Sequence, residues 1–352
     1  MKRVDLVLYE CGGCGLVQSL VDPPDGYYDD YAYTLANTES ETRHNEEFVN
    51  ELMGERLPSN VICEIGCGEG ALLSKFRDRG NVVLGVEPSK PLAIKAMENR
   101  IYVRNATVDL FTVFDMGPDI LGALVLQQVL DHLTEVGVNA IHFFFSLKPG
   151  GLIAIETGDL DEILKTGDIG SFTHEHLTYW TFDTLKKWLE DAEFVNVRRV
   201  DVKERRAASM VVFANRPDAK SDGKDTPPPG ARYASRDPWD DLMKGATRLR
   251  EFCEKYDVRG YGAGGRGTNW INSAGLTSAY MPYVVDDVLG GTGALVPGTD
   301  ILIGWWERAV PRGVTVVVFS YGYMDEITKR LRDHGFGGRI VSVLDIVSGR
   351  AS

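Results

Sequence analysis

The 352-residue chain lacks any apolar run near the roughly twenty residues that a membrane-crossing helix requires. Its opening, MKRVDLVLYECGG, carries basic residues, but Asp5 and Glu10 interrupt any signal-peptide core. Cysteine is scarce. The five, Cys11, Cys14, Cys63, Cys67 and Cys253, are odd in number and scattered, which excludes a secreted disulfide framework. Positive charge is also short: the formal net charge is −13, so the basic surface that displaces counterions from nucleic acid is missing. A single phosphorylated small molecule stays open as a partner, because a local pocket can oppose the global sign. These absences lead us to expect a cytoplasmic protein with neither a membrane nor a nucleic-acid partner.

What is present is ordinary globular composition, 43% hydrophobic and 25% charged, at a length that allows two domains with a core each. Residues 1–45 hold a CxxC and the tyrosine cluster YYDDYAYT at 27–34. Residues 46–215 alternate apolar strands with helical stretches, the pattern of a parallel sheet with helices on its faces. Strands are predicted at 61–65, 82–86, 123–126, 151–156, 195–202 and 209–214, the last two forming an antiparallel edge. A helix carrying Phe48, Leu52 and Leu57 precedes the first. Residues 216–238 are rich in proline and charge and read as a linker. Residues 239–352 form a second, smaller α/β unit in which a strand again meets a glycine turn and a helix.

The densest signal is VICEIGCGEG at 61–70, followed by VVLGVEPS at 82–89. An apolar strand enters a turn through Gly66, Gly68 and Gly70, which let the backbone bend sharply and approach a ligand. The next strand ends on an acid, Glu87, placed to hold ribose hydroxyls. A dinucleotide fingerprint reads GxGxxG. Here Glu64 opens an ExGxGxG run, the pattern of S-adenosyl-L-methionine (SAM) methyltransferases. A third strand ends at Gln127 and Gln128, just before VLDHL, which puts Gln128 and His132 on the ligand side of a doubly wound sheet.

The second concentrated signal is GSFTHEHLTYWT at 170–181, which overhangs the same face. His174, Glu175 and His176 are consecutive, so they cannot all converge on one ion, and HExxH fails because Thr178 stands where its second histidine belongs. Acid–base work suits the segment better, since imidazole titrates near neutrality and a carboxylate can orient it. In the C-terminal unit, GAGGRGTN at 262–269 offers Gly262 and Gly264 as a phosphate cradle, with Arg266 as a charged fork and Asn269 beside it. Because Asp286 closes the following strand, a pyridine-nucleotide site and a purely structural turn both stay open.

Taken in order, CxxCGLVQ, the DYAYT-like segment, EIGCGEG, VLDH, HEHLTYWT, GAGGRGTN, PGT and MDEI resemble the nucleotide-sugar C-methyltransferases of antibiotic deoxysugar pathways over nearly the whole chain. The resemblance implies a Rossmann-like class I SAM methyltransferase domain, SAM as cofactor, and a C-terminal α/β domain that helps hold a nucleotide sugar. It implies His176 as the base that removes the proton alpha to a keto group, with Glu175 as its partner. His132 and a tyrosine of the Tyr31/Tyr33 pair would line the sugar pocket, with His174 nearby. It further implies a structural zinc held by two CxxC pairs, of which only Cys11 and Cys14 are found. Two thiolates do not close a tetrahedral site, so either the natural start lies upstream or the metal has been lost. Thr173 stands where family members place a tyrosine, and ERRAASM at 204–210 replaces a GGS-like stretch. Those departures leave open an O- or N-methyltransferase of another small molecule, or a non-catalytic SAM-binding scaffold.

Overall fold

The computed structural model describes residues 6–21, 27–29, 39–108, 118–134, 136–202, 208–218, 238–287, 289–290, 292–306 and 313–351. In chain order the strands of the first part are β1 (Leu8–Glu10), β2 (Val17–Ser19), β3 (Val61–Ile65), β4 (Val82–Val86), β5 (Tyr102–Arg104), β6 (Leu121–Gln127), β7 (Leu147–Gly158), β8 (Thr178–Tyr179), β9 (Val195–Val200) and β10 (Ser209–Asn215). Beyond them come β11 (Val258–Tyr261), β12 (Tyr283–Val285), β13 (Leu302–Gly304), β14 (Thr315–Val318) and β15 (Arg339–Ser342).

Seven strands form a sheet in the order β5-β4-β3-β6-β7-β10-β9. Strands β3 to β7 run parallel, and β10 lies antiparallel between β7 and β9, the expected edge. Every residue of β6 is buried, as a central parallel strand covered by helices on both faces requires. Alternate residues serve opposite faces. Cys63, Ile65, Leu124, Leu126, Ile153 and Ile155 pack with Phe143 and Trp180. On the other face Ile62, Ala123, Val125, Leu152 and Ala154 pack with Phe48, Phe76 and Phe213. The helix Lys90–Glu98 is started by Ser89, whose side chain accepts from the Leu92 N–H. Thr181 and Thr184 form a reciprocal box that starts the helix Phe182–Asp191. The chain order reverses between β3 and β6, which fixes the crevice at the carboxyl ends of the strands. Strands β1, β2 and β8 make a small antiparallel sheet.

The remaining five strands form a wholly parallel sheet, β13-β12-β11-β14-β15. Two compact units result, and the division does not follow the chain. One holds the elements from Val7 to Leu160 and from His174 through β10; the other holds Asp161–Thr173 together with the elements from Pro238 onward. Thus thirteen residues within the stretch 46–215 pack with the C-terminal sheet.

Their anchor is Asp168, whose side chain is fully buried. Its Oδ1 accepts from Trp270 Nε1 at 3.1 Å, and its Oδ2 accepts from Ser171 Oγ at 2.6 Å and from the Tyr321 hydroxyl. Arg266 Nε lies 3.4 Å from the same oxygen, and its guanidinium covers the Tyr321 ring at 5.1 Å. Asn269 Nδ2 donates to the Gly170 and Phe172 carbonyls at 3.1 and 2.9 Å. All of this depends on how closely the helix Gly265–Ser273 seats on the turn after β11. A Cβ on Gly267 would stand 2.0 Å from the Gly262 carbonyl oxygen, which is backbone and cannot swing aside. Gly267→Ala should therefore destabilise this unit by about 1–3 kcal/mol in urea titration. An unchanged midpoint would show that the helix can move off the turn.

Candidate active site

The turn after β3 is built by backbone geometry that only glycine takes easily. Gly66, Gly68 and Gly70 have φ of 69°, 53° and 78°, and a Cβ on Gly66 would approach Val129 Cγ2 to 2.4 Å. Glu87, just past β4, is buried and organises the turn from the side. Its Oε2 accepts from Gly68 N–H at 2.8 Å and its Oε1 from Ser89 N–H at 2.9 Å. Burial pushes its carboxyl above the ordinary range, and the Ser89 and Gly68 N–H donors oppose that push. Glu64 is buried within β3, and Gln127 Nε2 donates to Asn45 Oδ1 at 3.2 Å at the end of β6. Gln128 follows at φ 56° with Nε2 buried and without a hydrogen-bond partner among the described residues. A buried amide donor left over beside a glycine cradle and a buried acid is what a bound polar ligand would satisfy. The residues fit the nucleoside-bearing cofactor expected from the ExGxGxG run.

Immediately beyond Gln128, a single helical turn, Leu130–His132, carries Asp131 and His132. The HEH segment is tied to it by backbone. Leu177 N–H donates to the Asp131 carbonyl at 2.7 Å, and Ser19 N–H donates to the Leu177 carbonyl at 2.8 Å. This brings His176 Nε2 to 3.3 Å from Asp131 Oδ2, with the His132 and His176 rings edge to face at 5.0 Å. His132 Nδ1 lies 3.1 Å from the Tyr28 hydroxyl. Glu175 accepts from the Tyr27 hydroxyl at 2.6 Å, while His174 is exposed. Burial, and then the Glu175 carboxylate, raises the Tyr27 phenol; burial and the charges of Glu175, Tyr27 and Asp131 raise Tyr28. Both phenols keep their protons at neutral pH.

Of the residues expected from sequence, the structure brings His132 and His176 together and gives Glu175 to Tyr27. Tyr31 and Tyr33 lie outside the described residues. Gly262, Gly264, Arg266 and Asn269 belong to the other unit, where Ala263 N–H donates to Asp286 Oδ2 at 2.8 Å and Arg266 and Asn269 hold the segment 168–172. Cys11 and Cys14 sit at the turn between β1 and β2, and among the described residues no third zinc-type ligand joins them. They do not fit a closed zinc site on their own. His44 is elsewhere, buried with its Nε2 2.9 Å from Glu156 Oε2. Sequence reading passed over Asp131, Tyr27 and Tyr28. The first is visible as the acid inside VLDH, and the other two open the tyrosine cluster.

Residues 38–199 match the model of a methyltransferase domain, and residues 239–344 match that of a C-methyltransferase C-terminal domain. The C-methyltransferase NovU of Streptomyces niveus is 26% identical, over 85% of this chain and 76% of its own length. A ubiquinone biosynthesis O-methyltransferase of Bradyrhizobium sp. (strain ORS 278) is 29% identical over 51% of this chain and 71% of its own. Among solved structures, a SAM-dependent methyltransferase from Archaeoglobus fulgidus covers 50% of this chain and 94% of its own, with TM-score 0.42 and 16% identity. Carrying a class I methyltransferase domain and, after it, the C-terminal domain of that family, the chain is a SAM-dependent C-methyltransferase.

Proposed function

We propose that the substrate is a nucleotide-linked keto-deoxysugar, methylated at the carbon alpha to its ketone. The observation that carries this reading is the Asp131, His132 and His176 group at the carboxyl end of β6. Carbon methylation at this position needs a base to form the enolate. A ketone acidifies its neighbouring C–H bond. That bond breaks toward His176: the proton passes to the imidazole, and the electron pair enters the enolate. With Asp131 next to Nε2, the neutral ring holds its proton there and presents Nδ1 as the basic nitrogen, and the carboxylate then steadies the imidazolium. In this reading either Tyr28, which stays protonated, or His132 donates to the developing oxyanion, since the 3.1 Å hydrogen bond between them engages the proton of the other. When bound, SAM supplies a methyl group on a sulfonium that needs no activation by the protein. The Gly262 and Gly264 turn, backed by Arg266 and Asn269, is read as the nucleotide's site on the C-terminal unit.

A panel of nucleotide keto-sugars incubated with SAM tests the reading, with products examined by carbon NMR. A new carbon–carbon methyl on at least one sugar supports it, and methylation at oxygen or nitrogen alone would overturn it. The cofactor site has its own test. Glu87→Ala removes an acceptor for ribose hydroxyls and the clamp on Gly68. SAM binding should weaken by roughly 1.5–3 kcal/mol per charged hydrogen bond lost, about ten- to a hundredfold in Kd by calorimetry. Unchanged affinity would mean that the cofactor sits elsewhere.

A further inference from the structure

The same three side chains gather the ligand types of a metal centre within reach of one another. One ligand atom from each of Asp131, His132 and His176 lies within 4.8 Å of the others. His176 Nε2 is 3.3 Å from Asp131 Oδ2, and His132 Nε2 is 4.0 Å from Asp131 Oδ1. Nitrogen and oxygen ligands at about 2.0–2.1 Å from a tetrahedral ion stand about 3.3 Å apart. The first edge already has that length, and the second, to the other carboxylate oxygen, is longer. Two further observations point the same way. Asp131 Oδ1 is a buried anionic oxygen without a hydrogen-bond partner among the described residues. The other ring nitrogen of His132 is 3.1 Å from the Tyr28 hydroxyl, the kind of outer contact that orients a ligating imidazole and fixes its tautomer.

We propose that Asp131, His132 and His176 bind one first-row divalent cation of the zinc type through the two Nε2 atoms and the Asp131 carboxylate. Two imidazoles and a single carboxylate favour zinc, cobalt or nickel over magnesium or calcium, which seek oxygen ligands. Occupancy also has a consequence for turnover. A cation on His176 Nε2 takes that lone pair and leaves the ring proton on Nδ1, so the imidazole has no nitrogen left to receive a substrate proton. The loaded protein is therefore blocked, reversibly. The blockade rests on reading His176 as the base, whereas the cation site does not.

Cobalt(II) titrated into the full chain, with Cys11 and Cys14 both changed to serine, gives the direct test. Visible absorption should report one ion per chain with nitrogen and oxygen ligands. Asp131→Asn and His132→Gln should each weaken binding by more than the roughly 10–100-fold that losing an outer partner costs. SAM affinity should be retained in both variants, reporting an intact fold. Equal cobalt affinity in Asp131→Asn overturns the proposal, as does no uptake by the parent chain. Zinc added to the turnover assay should suppress methyl transfer, and a chelator should restore it. Tight binding at this site with undiminished turnover would leave the cation site standing and overturn His176 as the base.

Discussion

His176→Ala should lower the rate of methyl transfer by about 10²–10⁴-fold, the usual contribution of a positioned general base, while SAM affinity holds. The two effects separate because His176 stands with Asp131 and His132 beyond β6, whereas the glycine turn and Glu87 lie beyond β3 and β4. Asp131→Asn should fall between the parent and His176→Ala. The imidazole remains, but the carboxylate 3.3 Å from Nε2 that sets its tautomer is gone. A loss in kcat with little change in KM is expected there, since Asp131 is buried and acts through His176. Isotope exchange isolates the proton step. With a keto-sugar and the demethylated cofactor product in deuterated buffer, the parent should exchange the alpha proton and His176→Ala should not. Persistent exchange in the variant would pass the role of base to His132 or to the exposed His174.

The strands that build the first sheet were legible because burial on both faces leaves continuous apolar runs, as in ALVL within β6 and IAI within β7. Those runs extend further than expected, β7 from Leu147 to Gly158, because pairing continues after the apolar letters end. Strand β5 was missed: only Val103 of its three residues is buried, so the edge has no pattern to read. The partner of His176 illustrates a different limit. Adjacency in HEH suggests Glu175, but neighbouring side chains diverge, and the structure gives Glu175 to Tyr27 and His176 to Asp131. No local periodicity announces a contact made by a backbone hydrogen bond between Leu177 and Asp131. The proline-rich stretch 216–238 marks one crossing between the units. The excursion at Asp161–Thr173 carries no such composition, because short polar anchors such as Asp168 and Ser171 look like any loop.

That excursion leads to the largest expected effect on stability. Asp168→Ala should destabilise the unit built on β11 to β15 by about 3–5 kcal/mol, the range for removing one partner of a buried charged network. The side chain is wholly inaccessible and gathers donors from Trp270, Ser171 and Tyr321, with the Arg266 guanidinium alongside. Alanine would leave the buried indole N–H without its acceptor in a place where water does not compensate, and would take the carboxylate from beside the Arg266 guanidinium. Asp168→Asn should not rescue the fold fully, because its amide nitrogen would face donors and only one oxygen would remain to accept. Tyr321→Phe, which removes a single donor, should cost only about 0.5–1.5 kcal/mol. Urea titration gives the ranking, and hydrogen exchange along the helix Gly265–Ser273 locates the loss. If Asp168→Ala costs no more than Tyr321→Phe, the carboxylate is not what holds Asp161–Thr173 to this sheet, and the carbonyl contacts of Asn269 must do so instead.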